Sequence, residues 1–331
     1  MATRWGFAGA GQITHDFITA LATLPKSEHR LFAVAAQDLS RAEKFAKLHE
    51  VEKAYGSYKE LSQDKDIDVV YVGTIQTTHF DVVKLVLNAG KNVLCEKPMA
   101  LNLKQTTELI ALAKSKGLFL MEAVWSRCFP IYEEIKKEID SGCIGEVKQI
   151  ICSFGFRMPH IQRLCKKEMG GGTILDLGVY TLQLPTFIFN GEKPESVKAL
   201  GYLNEDGVDL SMSATLKFKG DRMATILTSG LVNLPNEAFI VGTEGTIKIP
   251  NFWCPTRAEL PNRVIEITLP TGKHEFNFPN SGGLSFEAAE VRSCLLKGLK
   301  ESPKISHADS LLLAELEDEL RKQIGVVYDA D

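Results

Sequence analysis

The sequence predicts an α/β protein, with an N-terminal doubly wound parallel sheet and a C-terminal α+β domain built on a large, mostly antiparallel open sheet. Two observations carry this. Up to about residue 124, short and wholly apolar runs alternate with stretches of helical period, as parallel strands buried on both faces and their crossover helices require. Beyond it, longer segments alternate apolar and polar residues between Gly, Pro and Asn turns, the pattern of antiparallel strands with one face in a core. A chain of 331 residues is long enough for about two such domains, placed at 1–124 and 125–331.

In the first part "RWGFA", "RLFAVAA", "IDVVYVGT", "NVLCE" and "LFLMEA" read as strands. Between them "ITHDFITALATL", "SRAEKFAKLHE", "HFDVVKLVLNAG" and "LKQTTELIALAKSKG" carry the i, i+3, i+4 spacing of amphipathic helices. In the second part the strands are "EVKQIICSFGF", "VDLSMSATLKF", "RMATILTSGLV" and "VIEITL". The available helices are "FPIYEEIKKEID", "TILDLGVYTLQLPTFIF", "LSFEAAEVRSCLLKGL" and "HADSLLLAELEDELRKQI", the last expected against the first domain. They are too few to cover both faces of the larger sheet, so one face is expected to meet a second copy in a homodimer.

Composition excludes several classes. The chain is 44% hydrophobic and 24% charged with net charge −4, and it has no long run of like charges, so neither a nucleic-acid nor a membrane-surface footprint is present. Seven scattered cysteines without a Cys-x-x-Cys pair argue against a disulfide framework and for a reducing, cytoplasmic setting. No signal peptide and no apolar run of about eighteen residues is apparent. His15, His29, His49, His160, His274 and His307 are single residues without metal spacing, and no metal is implied. Cys128 in "SRCFP" has no base nearby in sequence and is a poor nucleophile.

The chemistry begins at "GFAGAGQITHDF", where Gly9 and Gly11 stand between the first strand and a helix. Such a turn lets backbone approach a pyrophosphate, which the helix N-terminus then holds. Thr14 occupies the third glycine position of this dinucleotide fingerprint. The next strand ends in Ala36 where an acid would bind an adenosine ribose, followed by Gln37, Asp38, Ser40 and Arg41. Without a carboxylate at 36, a 2′-phosphate is not repelled and Arg41 can pair with it, which favours NADP over a weaker NAD; alternatively Asp38 turns inward as the ribose acid. Thr74 and His79 in "GTIQTTH", and Glu96 and Lys97 in "EKP", fall on later carboxyl edges of the parallel sheet, where ligands of such sheets bind. Neighbouring strand residues point to opposite faces, so Glu96 and Lys97 need separate partners. In "GGGTILDLGVY" three glycines leave backbone open, Thr173 can cap a helix, and Asp176 and Tyr180 lie four apart on one of its faces. A buried tyrosine tied to a carboxylate is the structural alternative.

The ordered set G-x-G, "GTIQTTH", "EKP" and "GGGTILDLGVY" resembles the glucose-fructose oxidoreductase/inositol dehydrogenase (Gfo/Idh/MocA) family along the whole chain. Further pieces, "AYGSY", "VLCEKPM", "GLFLMEA", "WCP" and "KESP", are similar to the branch that oxidises trans-dihydrodiols and D-xylose with NADP. The resemblance implies Lys97 as a catalytic lysine and Asp176 and Tyr180 as an acid/base pair. It also implies a cis Lys97–Pro98 bond. His79, Trp125 and Arg127 would lie near nicotinamide or substrate, and Phe154 by the substrate. Gly9, Gly11, Gln12, Ile13, Gln37, Arg41, Thr74 and Glu96 would surround the cofactor. Two departures stand out: Gln37 replaces an arginine of that branch, and the loop "FGFRMPHIQRLCKKEMGGG" differs. The same fold also suits a non-catalytic nicotinamide sensor or scaffold, against which the retained Lys97, Asp176 and Tyr180 argue.

Overall fold

The computed structural model describes residues 1–158 and 161–331. Pro159 and His160, within the divergent loop, lie outside the described residues. The chain forms two compact units: residues 1–100, 104–128 and 269–307 make the first, and 101–103, 129–268 and 308–331 the second.

The first unit is a six-stranded parallel sheet of β1 (Thr3–Ala8), β2 (His29–Ala35), β3 (Lys53–Tyr55), β4 (Val69–Val72), β5 (Asn92–Glu96) and β6 (Leu120–Ala123) in the order β3-β2-β1-β4-β5-β6. The order reverses at β1/β4, the switch point where such sheets bind ligands. Its crossovers are α1 (Gln12–Leu21), α2 (Leu39–His49), α3 (Tyr58–Gln63), α4 (His79–Asn88) and α5 (Leu103–Lys116). The central strands are apolar because both faces are covered: Trp5, Phe7 and Val69 to Val72 are fully buried, and Phe17 of α1 stacks on Tyr71 at 4.0 Å.

The second unit holds α6 (Pro130–Asp140), β7 (Val147–Gly155), α7 (Gln162–Cys165) and α8 (Val179–Ile188). Then follow β8 (Ser196–Leu203), β9 (Asp209–Phe218), β10 (Arg222–Ser229), β11 (Glu237–Gly242), β12 (Thr246–Pro250), β13 (Arg257–Glu259) and β14 (Val264–Glu266). The eight strands are ordered β14-β13-β12-β11-β7-β10-β9-β8, antiparallel except for the β7/β10 pair. Register separates the faces. Ile150, Cys152, Ala214, Leu216, Ile226, Ala238 and Ile240 align on the buried side, while Ile151, Thr225, Thr215, Ser213, Leu200 and Phe239 align on the other.

The two remaining helices divide between the units. Helix α9 (Leu284–Leu296) lies in the first and packs on α1, whereas α10 (His307–Ile324) belongs from Ala308 onward to the second. The segment read as one helix starting at a Thr173 cap is also different. Ile174–Gly178 is a π turn leading into α8, and Thr173 makes no side-chain cap; its hydroxyl donates to Asp209 instead.

Candidate active site

In the first unit the dinucleotide edge is built from backbone. Gly9 adopts φ +111°, and a Cβ there would stand 2.7 Å from Gly73 O, so no other residue fits between β1 and the loop after β4. Gly11 has open space around it and precedes α1 without a side-chain cap, leaving the helix N-terminus, with Gln12 and Ile13 in its first turn, to offer N–H groups to an anion. Thr14 takes over where the third glycine was missing. Its hydroxyl donates to Gly73 O at 3.4 Å, and a Cβ on Gly73 would fall 2.5 Å from Thr14 Oγ1, so the close approach is moved onto Gly73.

Beyond β2, Ala36 leaves the ribose position without an acid. Asp38 is not turned inward: it caps α2, its Oδ1 accepting from Arg41 N at 2.8 Å. Arg41 reaches back to the glycine turn and donates to Ala10 O at 3.1 Å, while Gln37 is exposed. A cleft of about 420 Å³ lies along this helix, lined by Asp38, Ser40, Arg41, Lys44, Phe45 and Leu48.

The next two strand ends are tied together by His79. Its Nδ1 lies 2.8 Å from Pro98 O and its Nε2 3.1 Å from Thr74 O, so the ring joins the loop after β4 to the segment after β5. Thr78 donates to Thr74 Oγ1 at 2.8 Å. The Lys97–Pro98 bond is cis. The Lys97 backbone N–H donates to the Glu96 carboxylate at 3.3 Å. The buried Glu96 carboxylate accepts from Tyr71 OH at 2.7 Å, and Lys97 is half-buried just past the strand. Behind Glu96 lies Glu287 of α9, fully buried, with no hydrogen-bond partner for either carboxyl oxygen among the described residues. Burial first and the charge of Glu96 second push its carboxyl well above the usual range. Trp125 and Arg127 share one buried 3₁₀ turn, and Arg127 Nη1 donates to Lys304 O at 3.4 Å.

In the second unit Asp176 sits in the π turn and Tyr180 in the first turn of α8, 8% and 6% exposed. Arg163 Nη1 donates to Asp176 Oδ1 at 2.9 Å. The Tyr180 and Phe154 rings meet edge to face with centroids 5.5 Å apart, and the Phe154 and Trp253 rings pack at a tilt with centroids 4.3 Å apart. Phe156 closes on Trp253 at 5.7 Å, so Tyr180 opens from an aromatic wall. Asp209 braces the start of this segment, accepting from Thr173 and Ile174; burial pushes its carboxyl up to about 6. A cavity of about 310 Å³ adjoins Thr173, lined by Met158, Leu164, Cys165, Leu210 and Leu231, but neither Asp176 nor Tyr180 borders it.

Each unit thus gathers its own share of the candidate residues. Sequence reasoning missed Arg163, Trp253 and Asp209. Arg163 lies in the loop noted as divergent, and Trp253 in "WCP", so both had a signal; Asp209 opens a strand and had none. Among the described residues no group of three or more His, Cys, Asp or Glu is arranged to hold a metal ion.

Comparison with known proteins defines the class. Residues 3–124 match the model of the oxidoreductase family with an NAD-binding Rossmann fold, and residues 132–248 that of the GFO/IDH/MocA C-terminal domain. The chain belongs to the GFO/IDH/MocA family of NAD(P)-binding oxidoreductases. It is 49% identical over 332 residues to a trans-1,2-dihydrobenzene-1,2-diol dehydrogenase of Danio rerio, covering 100% of this chain and 99% of that protein. It is 50% identical over 329 residues to the Xenopus tropicalis protein of the same name, covering 99% and 100%. Among solved structures it resembles a 3-ketoreductase from Actinomadura kijaniata in complex with NADP and TDP-benzene, with TM-score 0.83, 25% identity and 98% of each chain covered.

Proposed function

We propose that the protein oxidises a secondary alcohol carbon of a trans-dihydrodiol, or of an aldopyranose such as D-xylose, with NADP as acceptor. The observation that carries this reading is Tyr180 standing against the Phe154–Trp253 wall with the ion-paired Asp176 one turn before it. An apolar wall beside paired polar groups suits a ring with adjacent hydroxyls, and the names of the full-length relatives support the diol.

The residues fit the cofactor. The open α1 N-terminus after Gly11 suits a pyrophosphate, and Ala36 with Arg41 suits a 2′-phosphate. When bound, NADP supplies the hydride acceptor. The protein's task is the proton. Tyr180 takes it from the substrate hydroxyl, and because a phenol of ordinary pKa about 10 is a poor base, a cation is needed to favour the phenolate. Lys97 has that role, with His79 holding the following Pro98 carbonyl and Glu96 turned to Tyr71. Asp176, steadied by Arg163, accepts the neighbouring substrate hydroxyl.

We also propose a homodimer through the second unit's open sheet face and a cytoplasmic setting. The face carries Ile151, Leu200, Tyr202 and Met223, each at least 40% exposed, among short hydroxyl side chains, and such a surface suits burial against its own copy. Seven scattered cysteines without a Cys-x-x-Cys pair support a reducing compartment. The decisive experiment is absorbance at the reduced-nicotinamide band with a panel of cyclic diols and aldoses. Turnover with a trans-dihydrodiol or D-xylose supports the reading; binding of NADP without turnover of any panel member refutes it and leaves a sensor or scaffold.

A further inference from the structure

We infer that Asp209 is a positioning residue for the reaction, holding Thr173 and Ile174 and thereby fixing where Asp176 and Tyr180 stand. The inference rests on the reading in which those two residues handle the substrate proton.

Asp209 opens β9 and is fully buried. Its Oδ2 accepts three hydrogen bonds, from Thr173 N at 2.8 Å, Thr173 Oγ1 at 2.7 Å and Ile174 N at 2.8 Å. Thr173 Oγ1, having donated to Asp209, accepts from Thr228 on β10 at 2.8 Å, so a relay of hydroxyls ties the segment to two strands of the sheet. The two backbone N–H groups are the unpaired donors with which this helical segment begins, and a carboxylate there also meets the positive end of its dipole. Oδ1 has no hydrogen-bond partner among the described residues and faces Gly172, where a Cβ would come within 2.4 Å of it. Gly172 has φ +120°, so the chain turns against the carboxylate in a conformation that side chains resist. From the other side Tyr328 OH donates to Gly171 O.

The segment is therefore pinned at Gly171, Thr173 and Ile174, and Asp176 follows only two residues later inside the π turn. A turn with one residue more per loop than an α-helix has no fixed register of its own. What sets its phase is the anchor at its start, and a shift of about 1 Å in a proton acceptor can cost on the order of a hundredfold in rate.

The test compares Asp209→Ala and Asp209→Asn with Thr173→Val and Thr173→Ser, scoring turnover per NADP-binding site counted by fluorescence titration. The expected result is a kcat lower by about a hundredfold in Asp209→Ala and about tenfold in Asp209→Asn and Thr173→Val, NADP affinity within twofold, and recovery in Thr173→Ser, which restores the hydroxyl. Amide exchange of residues 172–180 in the cofactor-free protein should quicken in Asp209→Ala while residues 1–128 are unchanged. If Asp209→Ala does not fold, Thr173→Val against Thr173→Ser decides. Unchanged kcat per site in the Asp209 variants that fold, or equal activity of Thr173→Val and Thr173→Ser, overturns the inference. If instead Tyr180→Phe keeps its turnover, the underlying reading fails, and the exchange result alone judges the anchoring.

Discussion

Arg163 donates to Asp176 across 2.9 Å, joining a residue of the divergent loop to the carboxylate proposed to meet the substrate. The Asp176 side chain is 11% exposed and the Arg163 side chain 37%, so the pair stands at the edge of the protein interior, where a charged hydrogen bond keeps much of its strength. Arg163→Met should lower kcat/KM for a trans-dihydrodiol about tenfold, from a loss on the order of 1.5 kcal/mol, with NADP affinity unaltered. Steady-state kinetics with the cofactor varied separately measures both.

Tyr180→Phe and Lys97→Met should each reduce kcat by about a thousandfold or more, with little change in NADP affinity. Because the two are proposed to act together, the double variant should be scarcely slower than either single one. Additive losses in single-turnover measurements would assign them independent roles.

Arg41 reaches the glycine turn while Gln37 stays exposed, so a single guanidinium is proposed to serve the 2′-phosphate. NADP should bind more tightly than NAD, Arg41→Ala should abolish the difference, and Gln37→Arg should enlarge it about tenfold. Tighter binding of NAD by the unaltered protein, in fluorescence titrations of both cofactors, would contradict this assignment.

His29 accepts the indole N–H of Trp5 through Nδ1 at 3.2 Å, which requires a neutral ring, and burial together with Arg292 lowers its pKa to about 4. His49, buried against His15 and His274, is lowered likewise to about 4. As pH falls from about 6.5 to 4, the unfolded chain takes up these protons and the folded chain does not, so stability is lost across that window. The melting temperature should drop by several degrees there, on the order of 5 °C, and His29→Gln, which keeps an acceptor without titrating, should shrink the drop.

Much of the fold was legible because burial writes a period into the sequence. Wholly apolar "VVYV" and alternating "SMSATLKF" report two-sided and one-sided cover, and the observed strands follow both. The glycine turn was legible too, but not that Gly73 supplies the close approach that Thr14 withholds, since that contact joins residues 59 apart. The helix before Tyr180 failed for a similar reason. Thr173 has the chemistry of a cap, yet a better acceptor, Asp209, comes 36 residues later and claims its hydroxyl, and local pattern carries no trace of such a rival. Arg163 and Trp253 are long-range partners of the same kind.

The way the chain is shared between the units constrains its synthesis. Strand β7 finds its neighbours β10 and β11 only after about 70 more residues have been made, and the first unit receives α9 from 284–296 after the second sheet is complete in sequence. Neither unit can close while the ribosome is still far from residue 300, so both edges of β7 and the apolar bed of α9 stay unpaired on the nascent chain. Residues 1–128 made alone should therefore lack a protease-resistant core, and pulse proteolysis of that fragment, compared with the same fragment supplied with residues 269–307 in trans, measures the debt.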